Sequence, residues 1–226
     1  MKLKHVKGII WDLDGTLIDS FEIFEQIIAD VVETSGHSMP THEYMLSNYH
    51  GSLEETIQKI LGLESAAEVD EIISIFAEKQ EHHYAGDLET HLFQDAAMLA
   101  QQAAKLGMQQ LIVTNRDHEG RGTGSPRAII AATTLADCIH EIRSGDEVDF
   151  RKPDKRSVGD WMERHQLTPA EVVVIGDQFV DAQLALNIGA RAVLIKRNGD
   201  IPHLDTLEDH EDVVIVDSLE IVELVR

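Results

Sequence analysis

Val6-Lys7-Gly8-Ile9-Ile10-Trp11-Asp12-Leu13-Asp14-Gly15-Thr16 joins a short apolar run to two carboxylates and a glycine turn. An apolar run of this length, ended by Asp and Gly, has the character of a parallel strand buried on both faces. Side chains alternate along an extended chain, so Asp12 and Asp14 project to the same side at the run's carboxyl end. Open α/β sheets bind their ligands at that end. Gly15 permits a sharp turn that brings backbone N–H groups close to a bound anion.

Further β-branched runs follow at 111–113, 172–175, 192–195 and 213–216. Helix-period segments lie among them: 95–106 ending at Gly107, 125–136 with Pro126 in its first turn, 158–165, and 181–188 ending at Gly189. Strand alternating with helix predicts an open α/β sheet with right-handed crossovers. One interval breaks the alternation. From about residue 20 to 87 the pattern is helical only, with Phe21, Phe24, Ile27, Ile28 and Val31 at helical spacing, then 53–61, then 69–76. Structureless loops of that length are rare, so the interval is expected to form a small helical second domain.

Composition narrows the partners. The 226 residues hold 19 Lys+Arg against 41 Asp+Glu, a formal charge of −22, which argues against nucleic acid and anionic membrane surfaces. No apolar run approaches the ~18 residues of a membrane span. The run Ile9-Ile10-Trp11 is also far short of a signal-peptide core, so a cytoplasmic location is expected. The single Cys138 excludes an internal disulfide and a multi-cysteine zinc site, and reads as a small buried residue near a strand start. The 12 histidines are scattered without metal-binding spacing.

Other strand ends supply the rest of a site. Thr114-Asn115 follows the second run, Gly176-Asp177 ends the third with Asp181 four residues on, and Arg151-Lys152-Pro153 lies in a loop between them. Asp12, Asp14, Asp177 and Asp181 in one cleft would repel one another and raise their pKa values. A hard divalent cation resolves that repulsion, and a set of oxygen ligands suits Mg²⁺. Carboxylates, Mg²⁺, Lys and Thr around a glycine turn read as a phosphoryl-transfer site.

Asp12-Leu13-Asp14-Gly15-Thr16, Thr114-Asn115, Lys152-Pro153, and Gly176-Asp177 with Asp181 resemble, in order, the four motifs of the haloacid dehalogenase-like hydrolase superfamily. The likeness is to its Mg²⁺-dependent phosphatases and covers nearly the whole chain. The helical interval is similar to the cap of the subgroup containing phosphoglycolate phosphatase and β-phosphoglucomutase. The resemblance implies a Rossmann-like parallel-sheet core over 1–19 and 88–226, with an all-helical cap domain over 20–87. It further implies that Asp12 is the nucleophile that forms an aspartyl-phosphate, and that Asp14 is the acid and then the base. Thr114, the Asn115 N–H and Lys152 would hold the phosphoryl group. Asp12, the Asp14 carbonyl and Asp177 would hold Mg²⁺, with Asp181 either reaching it through water or orienting Lys152. The expected substrate is a small phosphorylated metabolite.

Within the superfamily, dehalogenases lack an aspartate at the Asp14 position, so phosphate esters are favoured. A β-phosphoglucomutase-like mutase usually has glutamate where this chain has Gly176, which favours hydrolysis. A phosphoaspartate signalling receiver carries its acidic pair and its phospho-accepting aspartate on different strands, unlike Asp12 and Asp14. A catalytically silent binding scaffold is opposed by the intact set Asp12, Asp14, Lys152 and Asp177. In the cap, Tyr49, His50 and Ser52 precede a helix where such a loop can read the leaving group; the alternative is that Tyr49 packs under the cap and His50 is exposed. Arg151 replaces the family's usual glycine and either adds a cation to the rim or points to solvent. The polar segment 117–124 reads as a mobile surface loop, and Arg116 receives no role.

Overall fold

Runs rich in Val and Ile form parallel strands where both faces of the sheet can be covered. The protein is described as a computed structural model at all residues other than 50–51, 119–121, 198–200, 202, 204–205, 208–209 and 226. The strands are β1 (Lys2–Lys4), β2 (Gly8–Trp11), β3 (Gln109–Val113), β4 (Glu141–Arg143), β5 (Val172–Gly176), β6 (Arg191–Ile195), β7 (Val213–Val216) and β8 (Glu223–Val225). Six of them make one parallel sheet in the order β4-β3-β2-β5-β6-β7, while β1 and β8 pair separately. The sequence reading missed β1, β4 and β8, which at three residues each are too short to show a period.

The place of β2 decides where ligands can bind. Trp11 pairs with Ile112 on one side and with Ile175 on the other. The chain builds outward from β2 through β3 to β4, then returns to add β5, β6 and β7 on the opposite side. Strand order therefore reverses at β2, the position at which open α/β sheets leave a crevice at their carboxyl edge. In-register pairing brings Asp12, Val113 and Gly176 to one level, so the residues that follow them leave the sheet from the same edge.

The helices are α1 (Ser20–Ser35), α2 (His42–Asn48), α3 (Leu53–Leu61), α4 (Ala66–Tyr84), α5 (Gln94–Lys105), α6 (Pro126–Ala131), α7 (Gly159–Arg164) and α8 (Phe179–Ile188). Among the described residues, no helix is long and apolar enough to cross a membrane. Ile10, Leu111, Val174 and Leu194 of the sheet share one core with Trp161 of α7 and Leu184 of α8. Trp11 is also fully buried, and its indole N–H donates to Gln110 Oε1 at 3.0 Å. Gln110 in turn donates to Ala100 O at 3.0 Å, so a buried polar side chain inside β3 is satisfied rather than stranded.

The chain divides into two compact units, Met1–Asp19 with Leu92–Arg226, and Ser20–His91. The second boundary lies four residues beyond the expected position, because the turn Leu88–His91 is fastened to α1 through His91 Nδ1 and Glu22 Oε2 at 3.0 Å. Inside this helical unit α1 packs on α4, with Phe24 and Phe76 rings 5.9 Å apart. Ser52 and Ser65 open α3 and α4 as capping boxes with Glu55 and Glu68. Helix α2 went unread because its seven residues bury only Met45 and Asn48; its one signal was the N-cap Thr41.

Two further expectations need correction. The segment 125–136 is not one helix: α6 stops at Ala131 and a 3₁₀ turn follows at Thr134–Asp137. Thr133 is extended, and its hydroxyl donates back to Ile130 O at 3.0 Å, a side-chain bond that competes with helix continuation. Cys138 is only half-buried, in the turn before β4.

At the start of α5, Asp95 accepts from Arg197 Nη2 at 2.6 Å, Arg197 Nη1 at 3.0 Å and the Leu219 N–H at 2.8 Å. Arg197 also lies over the Phe93 ring at 4.0 Å, so the ends of β6 and β7 are tied to the chain entering α5. Burial pushes the Asp95 carboxyl up, but the Arg197 bonds and the Leu219 N–H outweigh it and hold the group below its ordinary 3.8. A depressed folded value means stability that is present above pH 3.8 and lost as pH falls through the folded value. Asp95→Ala leaves Arg197 buried without its counter-charge and is expected to cost about 2–4 kcal/mol in urea unfolding at neutral pH. The difference from the parent should narrow in acid; a difference independent of pH would show that the ion pair is not its source.

Candidate active site

The site begins where β2 ends. Asp12 is buried, and its N–H donates to Ile175 O at 2.9 Å, which continues the β2–β5 ladder by one bond. Its Oδ1 accepts from the Leu13 N–H at 2.8 Å and from Lys152 Nζ at 2.7 Å. Gly15 follows with φ of +75°, a conformation that other residues rarely adopt, and a Cβ there would collide with the Asp177 carboxylate. At Gly176 the constraint is steric alone, since its Cβ position is taken by the carboxylate of Asp181.

Lys152 reaches this point from the loop before α7. Its Nζ donates to Asp12 Oδ1 and Asp181 Oδ1, each at 2.7 Å, and the side chain is 3% exposed. Asn115 sets the lysine backbone: its Nδ2 donates to Lys152 O at 3.3 Å, and its Oδ1 accepts from the Lys152 N–H at 3.1 Å. Asp181 sits in the first turn of α8, where its Oδ2 accepts the Gln178 N–H at 3.1 Å. Asp177 Oδ1 accepts from the Thr16 hydroxyl at 3.3 Å.

Asp12, Asp177 and Asp181 each present a carboxylate oxygen within 4.8 Å of the others. Burial, reinforced by Asp181 and opposed by Lys152, pushes the Asp12 carboxyl up to about 7. Burial and then the charges of Asp12 and Asp181 also raise Asp177 well above its ordinary 3.8. Burial works against the Lys152 charge, but Asp12 and Asp181 outweigh it and raise its pKa. One ammonium therefore faces two buried carboxylates and a third, Asp177, that is half-buried, an imbalance that favours a cation with oxygen ligands.

Asp14 lies apart from that cluster. Its carboxylate accepts from Arg116 Nε at 3.0 Å and from Arg116 Nη2 at 2.6 Å, and Arg116 Nη1 donates to Gly124 O at 3.0 Å. Arg116, given no role from sequence, is a largely buried part of the site; its only signal was a position two residues past Thr114 at a strand end. Thr114 is buried, with its N–H bonded to Arg143 O at 3.0 Å and its Oγ1 accepting the Arg116 N–H at 3.0 Å, which leaves the hydroxyl proton to be donated elsewhere. Arg151 pairs with Asp117 Oδ1 at 2.6 Å and donates to Asn115 O at 3.2 Å, so it braces the loop rather than pointing into solvent unpaired.

The structure thus brings Asp12, Lys152, Asp177 and Asp181 into direct contact or near contact, with Asp14 on Arg116 and Asn115 behind Lys152. Tyr49 and Ser52 belong to the helical unit. Tyr49 packs on Phe21 and Phe24, with ring centroids at 5.1 and 4.8 Å, and the Ser52 hydroxyl accepts the Glu55 N–H at 3.1 Å as an N-cap. His50 and residues 119–121 of the loop 117–124 lie outside the described residues.

Fold and site place the chain among α/β enzymes that work at the carboxyl edge of a parallel sheet. More narrowly, it belongs to the haloacid dehalogenase-like hydrolase family, which residues 9–195 match. A protein named pyrophosphatase PpaX from Bacillus velezensis is 29% identical over 191 residues, 83% of this chain and 82% of that protein. A phosphoglycolate phosphatase from Rhodobacter capsulatus is 28% identical over 204 residues, 88% of this chain and 89% of that protein. A subfamily IA hydrolase of the same superfamily from Geobacter sulfurreducens shares the fold, with a TM-score of 0.71 at 16% identity, over 95% of this chain and 93% of that one.

The repulsion among the three carboxylates can be measured. Asp177→Asn removes one charge and keeps an oxygen for Thr16. A raised folded pKa means that Asp177 favours the fold below 3.8 and that this contribution is lost as pH rises through the raised value. In EDTA at neutral pH, Asp177→Asn is therefore expected to melt about 2–4 °C above the parent, what about 1 kcal/mol amounts to in a chain of this size. The gain should shrink in acidic buffer. A lower melting temperature at neutral pH would show that attraction to Lys152, not mutual repulsion, governs Asp177.

Proposed function

We propose that this protein is a Mg²⁺-dependent phosphatase that hydrolyses a small phosphorylated metabolite through an aspartyl-phosphate on Asp12. The observation that carries the reading is the buried Lys152 ammonium held 2.7 Å from both Asp12 and Asp181, beside Asp177, at the strand-reversal edge of the sheet. Lys152 holds Asp12 in one orientation and places a positive charge where phosphoryl oxygens would lie. An Asp12 oxygen attacks phosphorus; the bond to the leaving oxygen breaks, and Asp14 gives that oxygen a proton. Asp14 then takes a proton from water as it attacks the phosphorylated aspartate, releasing phosphate and restoring Asp12. Thr114 and the Asn115 N–H bind phosphoryl oxygens in both steps.

The donor set fits Mg²⁺: oxygen only, three carboxylates within 4.8 Å, and more negative charge than Lys152 balances. Asp12, Asp177 and the Asp14 carbonyl would hold the ion, which supplies charge neutralisation when bound. Asp181 orients Lys152. Hydrolysis is favoured over a mutase reaction because Asp181 occupies the space that a side chain at position 176 would need. The helical unit is proposed as the cap over residues 20–91, with Tyr49, His50 and Ser52 as its candidates for reading the leaving group. The named relatives make phosphoglycolate and pyrophosphate the first substrates to try, and the scarcity of cations makes the monoester the expected one.

The test is phosphate release from p-nitrophenyl phosphate, phosphoglycolate and pyrophosphate. Activity is expected with Mg²⁺, to disappear in EDTA and to return when Mg²⁺ is restored. Asp12→Asn should fall to background on every substrate, and Asp14→Asn should lose about 10²–10⁴-fold on phosphoglycolate, both with the fold intact by circular dichroism. Wild-type turnover by Asp12→Asn, or indifference to EDTA, would falsify the reading.

A further inference from the structure

The two carboxylates of Asp12-Leu13-Asp14 have separate cationic partners. Lys152 binds Asp12 as a point charge. Arg116 binds Asp14 with two N–H groups, Nε on Oδ2 at 3.0 Å and Nη2 on Oδ1 at 2.6 Å. Two bonds from one rigid guanidinium fix the carboxylate's rotation as well as its position, which an ammonium cannot do. The guanidinium is itself anchored. Nη1 donates to Gly124 O at 3.0 Å, and the Arg116 backbone N–H donates to Thr114 Oγ1 at 3.0 Å. Its side chain is 11% exposed, against 24% for Asp14. One residue therefore orients Asp14 through its side chain and Thr114 through its main chain.

We infer that Arg116 is a positioning residue for proton transfer, holding the Asp14 carboxylate where it meets the leaving-group oxygen. The inference rests on the phosphatase reading, in which Asp14 is the acid. Proton transfer is sensitive to placement, and a displacement of about 1 Å can cost ~10²-fold. The effect should depend on the leaving group. Phenolate, with a pKa near that of tyrosine at about 10, needs a proton from Asp14 to depart. p-Nitrophenolate is a far better leaving group and departs without one.

The experiment compares kcat/KM, which reports the phosphoryl-transfer step, for phenyl phosphate and p-nitrophenyl phosphate. Arg116→Ala is expected to lower the value for phenyl phosphate about 10–100-fold and that for p-nitrophenyl phosphate no more than about threefold, by the same sensitivity to placement. The loss should lie in kcat rather than KM, and the Mg²⁺ concentration for half-activity should not move. Arg116→Lys keeps the charge without the fork and should recover only part of the loss; it also serves as the variant of choice if Arg116→Ala does not fold. Equal losses on both substrates, no loss, or full recovery by Arg116→Lys would each overturn the positioning role. Asp14→Asn separates the two levels of the argument. If it shows the same leaving-group selectivity while Arg116→Ala does not, only the role of Arg116 fails. If it keeps parental activity on phenyl phosphate, Asp14 is not the acid and the role of Arg116 fails with it, whereas the phosphatase reading itself fails only if the parent protein releases no phosphate from either ester.

Discussion

Charge balance at the end of β2 is the constraint on which the site depends. Buried carboxylates persist only when paired or bound to a cation, and the buried Asp12 and Asp181 share one buried ammonium, with the half-buried Asp177 beside them. That demand accounts for features otherwise unrelated in the chain. Asn115 grips the backbone of Lys152 from a different strand end. The two glycines at 15 and 176 leave out side chains because the carboxylates fill that space. Asp181 caps α8 with one oxygen and holds Lys152 with the other.

The sheet makes this concentration of charge possible. Register between β2 and both neighbours delivers three strand ends to one level, and the reversal of strand order at β2 opens room above them. The core beneath is continuous and apolar, so the position of each strand end is set by packing that does not involve the charged residues. Backbone bonds and van der Waals contact thus hold in place groups that would otherwise repel one another.

A net charge of −22 acts against anionic substrates at long range. Lys152 and Arg116 provide cations at short range, but both are committed to carboxylates within the site. In the proposed reaction, affinity for phosphate would come from rearranged pairing and from a bound cation, rather than from a broadly positive surface.

Much of this was legible in the residues themselves. The run into Asp12-Leu13-Asp14-Gly15-Thr16, and the strand ends at Thr114 and Gly176-Asp177, could be read because buried parallel strands are apolar throughout and end abruptly in polar residues. The three-residue strands β1, β4 and β8 and the short helix α2 were not legible, because elements of that length carry no period. The break after Ala131 was missed because a threonine hydroxyl bonding back to the chain is a local competition that helical spacing does not reveal.

Sequence alone determined the order of the elements, the carboxylates at the strand ends and the helical interval, since each follows from local pattern and chain spacing. Tertiary structure decided the partners. Arg116 on Asp14 spans 102 residues, and Lys152 on Asp12 spans 140. Whether a cation faces solvent or a carboxylate depends on how remote segments pack, and no local pattern encodes that.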